Sequence, residues 1–416
     1  MSQPFAKDVS VALGERYARV RALTVDLAQP LSAEDQCVQS MDDASPTKWH
    51  LAHTTWFFET VVLGAADANY KTFDPRFGYL FNSYYEGLGP RHPRPQRGLL
   101  TRPSAEEVLA YRRHVDEALL DFCAGAKKDD PALALIELGL HHEQQHQELI
   151  LTDIKHALFS NPLLPIYRNA RPQAVADAAA LKWIAFAGGI VEAGHDGEGF
   201  AFDNEQPRHK TLLHPFKLAS RAVTNNEYRA FIEDGGYARP EFWLSDGWAL
   251  KAREGWDAPL YWLEDGSVFT LNGARPLAGD EPVCHVSFYE AAAFAAWAGK
   301  RLPTEFEWEF AARDVAVDGN LLNVASLHPQ PARDTGLTQM FGDVWEWTRS
   351  SYDPYPRYRP FDGTLAEYNG KFMSGQLVLR GGSCATPADH IRPTYRNFFP
   401  PSARWQFSGI RLAEDA

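Results

Sequence analysis

Cysteine is scarce and scattered in this chain. Cys37, Cys123, Cys284 and Cys384 form no C-x-x-C pair and no closely spaced set. That excludes a disulfide framework and fits a reducing compartment. No run approaches the ~18 apolar residues that a membrane-spanning helix needs. The N-terminal stretch MSQPFAKDVSVALGERYARV carries charges every few positions and lacks the apolar core of a signal peptide. Basic residues are outnumbered, 41 Lys and Arg against 54 Asp and Glu, for a net charge of −13. Phosphate binding needs concentrated basic charge, so nucleic acid is excluded as the main partner. Internal repeats and low-complexity tracts are also absent. These absences predict a soluble cytoplasmic protein that uses neither nucleic acid nor membrane; its oligomeric state stays open.

What is present is ample. The 416 residues suffice for two or three domains with proper cores. Aromatic residues make up 13%, concentrated around residues 49–85 and after residue 180. Apolar residues at three- and four-residue steps predict a helix over residues 5–28. Ser32-Ala-Glu-Asp reads as a new helix start, and Ser45-Pro46-Thr47 opens a helix through His53 to about Leu63. Tyr70 to Pro103 reads as a long ordered loop, and loops of that length in compact domains are usually functional. Ser104-Ala-Glu-Glu is a capping box opening a helix to about Ala124. Asp130-Pro131 opens the next, to about Phe159. The expected organisation is a helical bundle over 1–160, a linker over 161–181, and a domain of short strands and turns over 182–416, with one clear helix at Ser287–Gly299.

The bundle's last helix contains His141–Glu148, written HHEQQHQE. Each helical residue advances ~100°, so positions four apart lie nearly above one another. His142 and His146 are so spaced, and their imidazoles can converge on one metal ion. Gln145 flanks the same face. Glu148 points nearly the opposite way and is a poor ligand; His141 shares that side and reads as supporting or structural. The helix therefore supplies two ligands and a third must come from elsewhere. Trp49-His50-Leu51-Ala52-His53 supplies a second histidine cluster, and bundle cores are where such sites are built.

The second half carries FDNEQPRHK, VTNNEYRAFI, RLPTEFEWEFAAR, FGDVWEWT and VLRGGS. These resemble the formylglycine-generating-enzyme, or sulfatase-modifying-factor, domain, a C-type-lectin-like fold, over about residues 180–413. Enzymes of that kind hold copper with two closely spaced cysteines. Cys284 and Cys384 stand far apart in sequence, so the resemblance implies the fold without that chemistry. The Trp rings read as core filling, and Gly381-Gly382 as a tight turn.

The bundle in turn resembles DinB-like metal-binding proteins. With SPTKWHLAHTTWFFET, FDPRFGYLFNSYYEGLGPRHPRPQRGLL, GLHHEQQHQELILTDIKH and TYRNFFPPSARWQFSGIRL, nearly the whole chain resembles the ergothioneine-biosynthesis sulfoxide synthases. The resemblance implies an α+β multidomain protein, a DinB-like bundle followed by a C-type-lectin-like domain. It implies a non-haem Fe(II) held by His53, His142 and His146. His53 rather than His50 matches the family's L-A-H signature, and His50 is left a packing or supporting role. Imidazole also suits Zn, Ni and Cu, so iron comes from the resemblance alone.

The family reaction joins hercynine, a histidine betaine, to cysteine or γ-glutamylcysteine with O2, forming a C–S bond and oxidising the sulfur to a sulfoxide. Tyr84 and Tyr85, adjacent in NSYYEG, are then candidate proton donors. The trimethylammonium of hercynine favours ring faces and amide oxygens; Asn397 and Phe398 match the family's hercynine-binding segment, and Gln145 is placed to reach the imidazole side. Where the mycobacterial-type enzymes carry an Asp that helps bind γ-glutamylcysteine, this chain has Phe399, which leans toward cysteine. Arg94 and Arg97 are candidate clamps for the thiol's carboxylates, or else ties within the loop. The alternative within the superfamily is a selenoneine synthase joining hercynine to a selenosugar.

Overall fold

The computed structural model describes residues 5–169, 177–323, 326–334 and 336–416. The chain divides into two compact units, Met1–Leu163 and Leu164–Ala416. The linker expected over 161–181 falls partly on residues 170–176, outside the described residues. The architecture is a helical bundle followed by a domain of short sheets and helices.

In the first unit, α1 (Phe5–Ala28), α2 (Thr47–Phe57), α3 (Ala105–Gly125) and α4 (Ala132–Phe159) form the bundle. Both α1 and α2 pack against α3 and α4. The capping box that opens α3 is realised between Ser104 and Glu107. The helix start expected at Ser32 yields only one 3-10 turn, Asp35–Cys37. Ser32 and Asp35 do exchange hydrogen bonds. The Gln39 amide, however, donates to the carbonyls of Ala44 and Arg94, which draws the chain to the long loop.

The chain beyond α2 widens into a π-helical turn, Phe58–Leu63. Buried Glu59 in this turn accepts from Phe73 N at 2.9 Å and Tyr111 Oη at 2.6 Å, pinning the start of the loop. The loop itself contains a short helix, Phe77–Phe81, and 3-10 turns at Glu86–Leu88 and Arg94–Leu99. Asn82 templates the segment between, donating to the carbonyls of Tyr85 and Gly89 and accepting from Tyr85 N.

Two features fix how α4 sits. A Cβ at Gly139 would lie 2.5 Å from Phe58 Cε1, so only glycine permits this approach of α4 to the end of α2. One turn on, the fully buried Glu143 accepts from Arg21 at 2.9 Å, Arg112 at 2.9 Å and Thr24 at 2.6 Å. Hydrogen-bonded ion pairs of this kind tolerate no loss of one partner, so Glu143 sets the rotation of α4 against α1 and α3. Its neighbour His142 is aimed accordingly.

The second unit is built on short strands: β1 (Trp183–Phe186), β4 (Phe216–Ala219) and β11 (Ala413–Asp415) form one sheet in the order β1-β4-β11. A second sheet has the order β10-β7-β8-β9, from Ser408–Gly409, Trp345–Ser351, Leu377–Arg380 and Asn397–Phe399. Hairpins β2–β3 (Gly189–Ala193, His209–Leu213) and β5–β6 (Ser267–Thr270, Gly273–Pro276) complete it. The expected helix appears as α7 (Phe288–Trp297), joined by α5 (Asn225–Glu233), α6 (Ser245–Glu254) and α8 (Glu305–Ala312). Trp308, Trp345 and Trp347 are fully buried at its centre. Gly381, at φ +99°, passes so close to Met340 that a Cβ would lie 2.5 Å from the carbonyl oxygen. All four cysteines are free thiols. No helix among the described residues is long and apolar enough to cross a membrane.

Candidate metal centre

His53 on α2 and His142 and His146 on α4 converge in the bundle, with one ligand nitrogen from each lying within 4.8 Å of the others. Their rings stand 4.7–5.0 Å apart. His53 Nε2 and His142 Nε2 approach to 3.2 Å. All three are buried. Burial pushes His142 down to about 3 and lowers His53 and His146 well below the usual imidazole range, the neighbouring imidazoles lowering His53 and His146 further. The rings are therefore neutral near pH 7 and offer lone pairs.

Local sequence explains the aim of His53. Trp49, one turn before it, stacks on the imidazole at 4.6 Å, and Trp56, one turn after, stacks at 5.5 Å. His53 Nδ1 sits 2.6 Å from the Phe81 carbonyl, which can only accept. Nδ1 therefore carries the proton and Nε2 is bare. His142 is braced by Phe57 at 4.7 Å. Three neutral imidazoles without a carboxylate among them form a donor set that fits a divalent transition metal and leaves coordination positions free.

His50 turns away from this triad. Its Nδ1 meets His146 Nδ1 at 2.8 Å and its Nε2 meets Asp153 at 3.0 Å. His141 faces α1, where its Nε2 accepts from Arg16 at 3.1 Å. Gln145 is half-buried on α4.

On the loop, Tyr85 is fully buried, 5.7 Å from the Trp56 ring, and half-buried Tyr84 stacks on it at 4.8 Å. The two arginines diverge. Arg94 is exposed, 3.8 Å from Asp43. Arg97 is 5% exposed, lies 3.4 Å over the Trp49 ring and donates to Ser45 Oγ at 2.9 Å. No carboxylate among the described residues pairs with it. Burial and the nearby Arg94 charge push Arg97 down to about 8. Such a site disfavours an uncompensated cation and favours an incoming anion.

Asn397 and Phe398 belong to the second unit, on β9. Phe398 stacks on Tyr352 at 4.0 Å, with Phe372 at 5.9 Å. Asn397 Oδ1 accepts from Phe398 N. The residue that sequence reasoning passed over is Asp153, seven positions beyond His146 and so on the same helix face after two turns.

Residues 16–150 match the DinB superfamily, and residues 169–321 and 316–416 match the sulfatase-modifying factor enzyme 1-like domain. A hercynine oxygenase of Mycolicibacterium thermoresistibile is 34% identical over 405 residues, covering 89% of this chain and 87% of its own. Another, from Mycobacterium tuberculosis, is 34% identical over 424 residues, covering 96% and 97%. The formylglycine-generating enzyme of Streptomyces coelicolor is 30% identical over 270 residues, covering 53% of this chain and 84% of its own.

Proposed function

The chain belongs to the hercynine oxygenase family, and from that premise we propose how its own residues carry an Fe(II)- and O2-dependent joining of hercynine to a thiol. The observation that carries the reading is the buried cluster of His53, His142 and His146. The family makes the metal iron, whose chemistry here is to pass electrons from the substrates to O2. The C–H bond between hercynine's ring nitrogens and the thiol's S–H bond are lost, while C–S and S–O bonds form. One oxygen atom of O2 enters the sulfoxide and the other leaves as water with the two hydrogens.

We assign the remaining roles to residues of each unit by what each side chain can bind. Arg97 receives a carboxylate of the thiol, because its buried guanidinium has a ring face and a hydroxyl beside it, while the nearest acidic group, Asp153, lies beyond ion-pair reach. Arg94 is engaged at the surface with Asp43 and contributes at most a second, weaker hold. In the second unit, Phe398 with Tyr352 offers a ring surface that suits a quaternary ammonium group, and Asn397 beside it supplies an amide; in the first unit, Gln145 on α4 supplies an amide suited to an imidazole. Tyr84 and Tyr85 deliver the proton, held in place by the Asn82 turn. Phe399, in place of an acidic residue, favours cysteine over γ-glutamylcysteine.

The test is O2 uptake by the anaerobically Fe(II)-loaded protein with hercynine, offering cysteine, γ-glutamylcysteine or a selenosugar in turn, with products identified by mass spectrometry. Uptake with cysteine, giving hercynylcysteine sulfoxide, is the expected result; uptake only with the selenosugar would overturn it. His146→Ala is expected to abolish both iron retention and turnover. Tyr84→Phe/Tyr85→Phe should retain iron and slow or redirect oxidation by about 10²-fold or more; sulfoxide formed at the wild-type rate would remove the tyrosines from the chemistry.

A further inference from the structure

One ligand of the triad is wired differently from another. His53 donates its Nδ1 proton to a neutral backbone carbonyl, that of Phe81, at 2.6 Å. His146 instead meets a second histidine: its Nδ1 lies 2.8 Å from His50 Nδ1. His50 Nε2 lies 3.0 Å from Asp153 Oδ2, and that same oxygen accepts from Ser45 N at 2.8 Å. His50 and Asp153 are 2% and 5% exposed, so water does not compete for these bonds.

The proton positions follow by elimination. A carboxylate only accepts, so His50 Nε2 carries a hydrogen. Only one hydrogen fits between the two Nδ1 atoms at 2.8 Å; a His146 that presents Nε2 to a metal carries that hydrogen on Nδ1 and donates it to His50 Nδ1. The order of donation is His146 to His50 to Asp153. Because α4 contributes both His146 and Asp153, and α2 contributes His50, the chain closes across one helix pair.

We infer that His50 and Asp153 are positioning residues for the metal site, a His–Asp relay that fixes the tautomer of His146 and makes it a stronger electron donor than His53. The inference rests on the three-histidine reading of the site. Hydrogen bonding of a ligating imidazole to a carboxylate raises its basicity, and an intervening imidazole transmits that polarisation. The site is thereby asymmetric: one imidazole is backed by a carbonyl and one by a relayed negative charge. Sequence spacing alone made His50 a rival of His53 for the metal. The structure instead gives it the proton of its rival's partner ligand.

The experiment uses the full-length metal-free protein titrated with Co(II), whose visible ligand-field bands report donor strength without turnover. Asp153→Asn preserves shape and removes the charge; His50→Gln keeps an acceptor for His146 and cuts the link to Asp153. Both are expected to weaken Co(II) binding by about 10- to 100-fold and to shift the visible bands in the same direction. Wild-type affinity with unchanged bands in Asp153→Asn would overturn the relay. So would weaker binding with unchanged bands, the signature of a packing role alone. If circular dichroism shows Asp153→Asn unfolded, His50→Gln is judged on the same two readouts. Failure of the wild type to bind Co(II), or undiminished binding by His142→Ala, would overturn the metal site itself rather than the relay.

Discussion

Buried arginines behave differently in the two units. In the second unit Arg380 is held by Glu305 and Glu309, Arg396 by Glu305, Arg404 by Glu290 and Arg411 by Glu346. Each pair ties a late strand or loop back to a helix or strand far away in sequence. The first unit has such pairs as well, in Arg21 and Arg112 on Glu143. It also has Arg97, the one buried arginine among the described residues with no carboxylate partner. Paired charges in an apolar interior specify how elements meet; the unpaired one is where we propose that a substrate carboxylate binds. The three neutral histidines make the same point, since ring nitrogens of His53 and His142 only 3.2 Å apart suit a shared cation.

The largest effect should come from breaking a pair. Arg411→Met leaves Glu346, fully buried, with Trp308 Nε1 as its remaining donor. We expect a loss of about 3–5 kcal/mol in urea unfolding and no change in metal affinity. The corresponding change in the other unit should act on binding instead. Arg97→Met orphans no anion, only the Ser45 hydroxyl, so unfolding should change by under about 1 kcal/mol. The KM for the thiol should rise about 10- to 100-fold, the worth of one charged hydrogen bond. Equal destabilisation by the two substitutions would erase the distinction between the units.

The same contrast governs what could be read beforehand. His142 and His146 are legible because four residues make one turn, and the period of a long helix survives in any sequence. His50 and His53 are one turn apart on α2, so spacing could not rank them; the family signature did. What separates them physically is Asp153, brought over by α4, and a helix-pairing register is not written in either helix alone. Arg94 and Arg97 look alike in RPQRG, yet one is exposed beside Asp43 and the other lies under Trp49. Burial of that kind depends on which loop face meets the bundle. In the second unit, α5 and α8 do announce themselves, by capping boxes at Thr224–Glu227 and Thr304–Glu307. Helices of 9 and 8 residues are too short to show periodicity, whereas α7 combines a capping box at Ser287–Glu290 with an interior run of alanine and aromatic residues.

The smallest effect sharpens the comparison within the second unit, at a buried carboxylate that lacks an arginine. Asp343 is 5% exposed and accepts from Asn320 Nδ2 at 2.7 Å and Gln330 N at 2.8 Å. Burial raises it to about 6. The folded state therefore holds this proton more tightly than the unfolded chain, whose carboxyl titrates near 3.9. The stability of the protonated, asparagine-like form is fully present below that value and is lost as pH rises through about 6. Asparagine keeps the accepting oxygen, carries no charge and tolerates the backbone φ of +57° at this position. Asp343→Asn should then gain about 1–2 kcal/mol over the wild type in urea unfolding at pH 7 and nothing at pH 4. An equal loss at both values would mean that the second carboxylate oxygen is held by a donor the amide cannot satisfy, and that this acid, like Glu346, is part of the unit's paired framework.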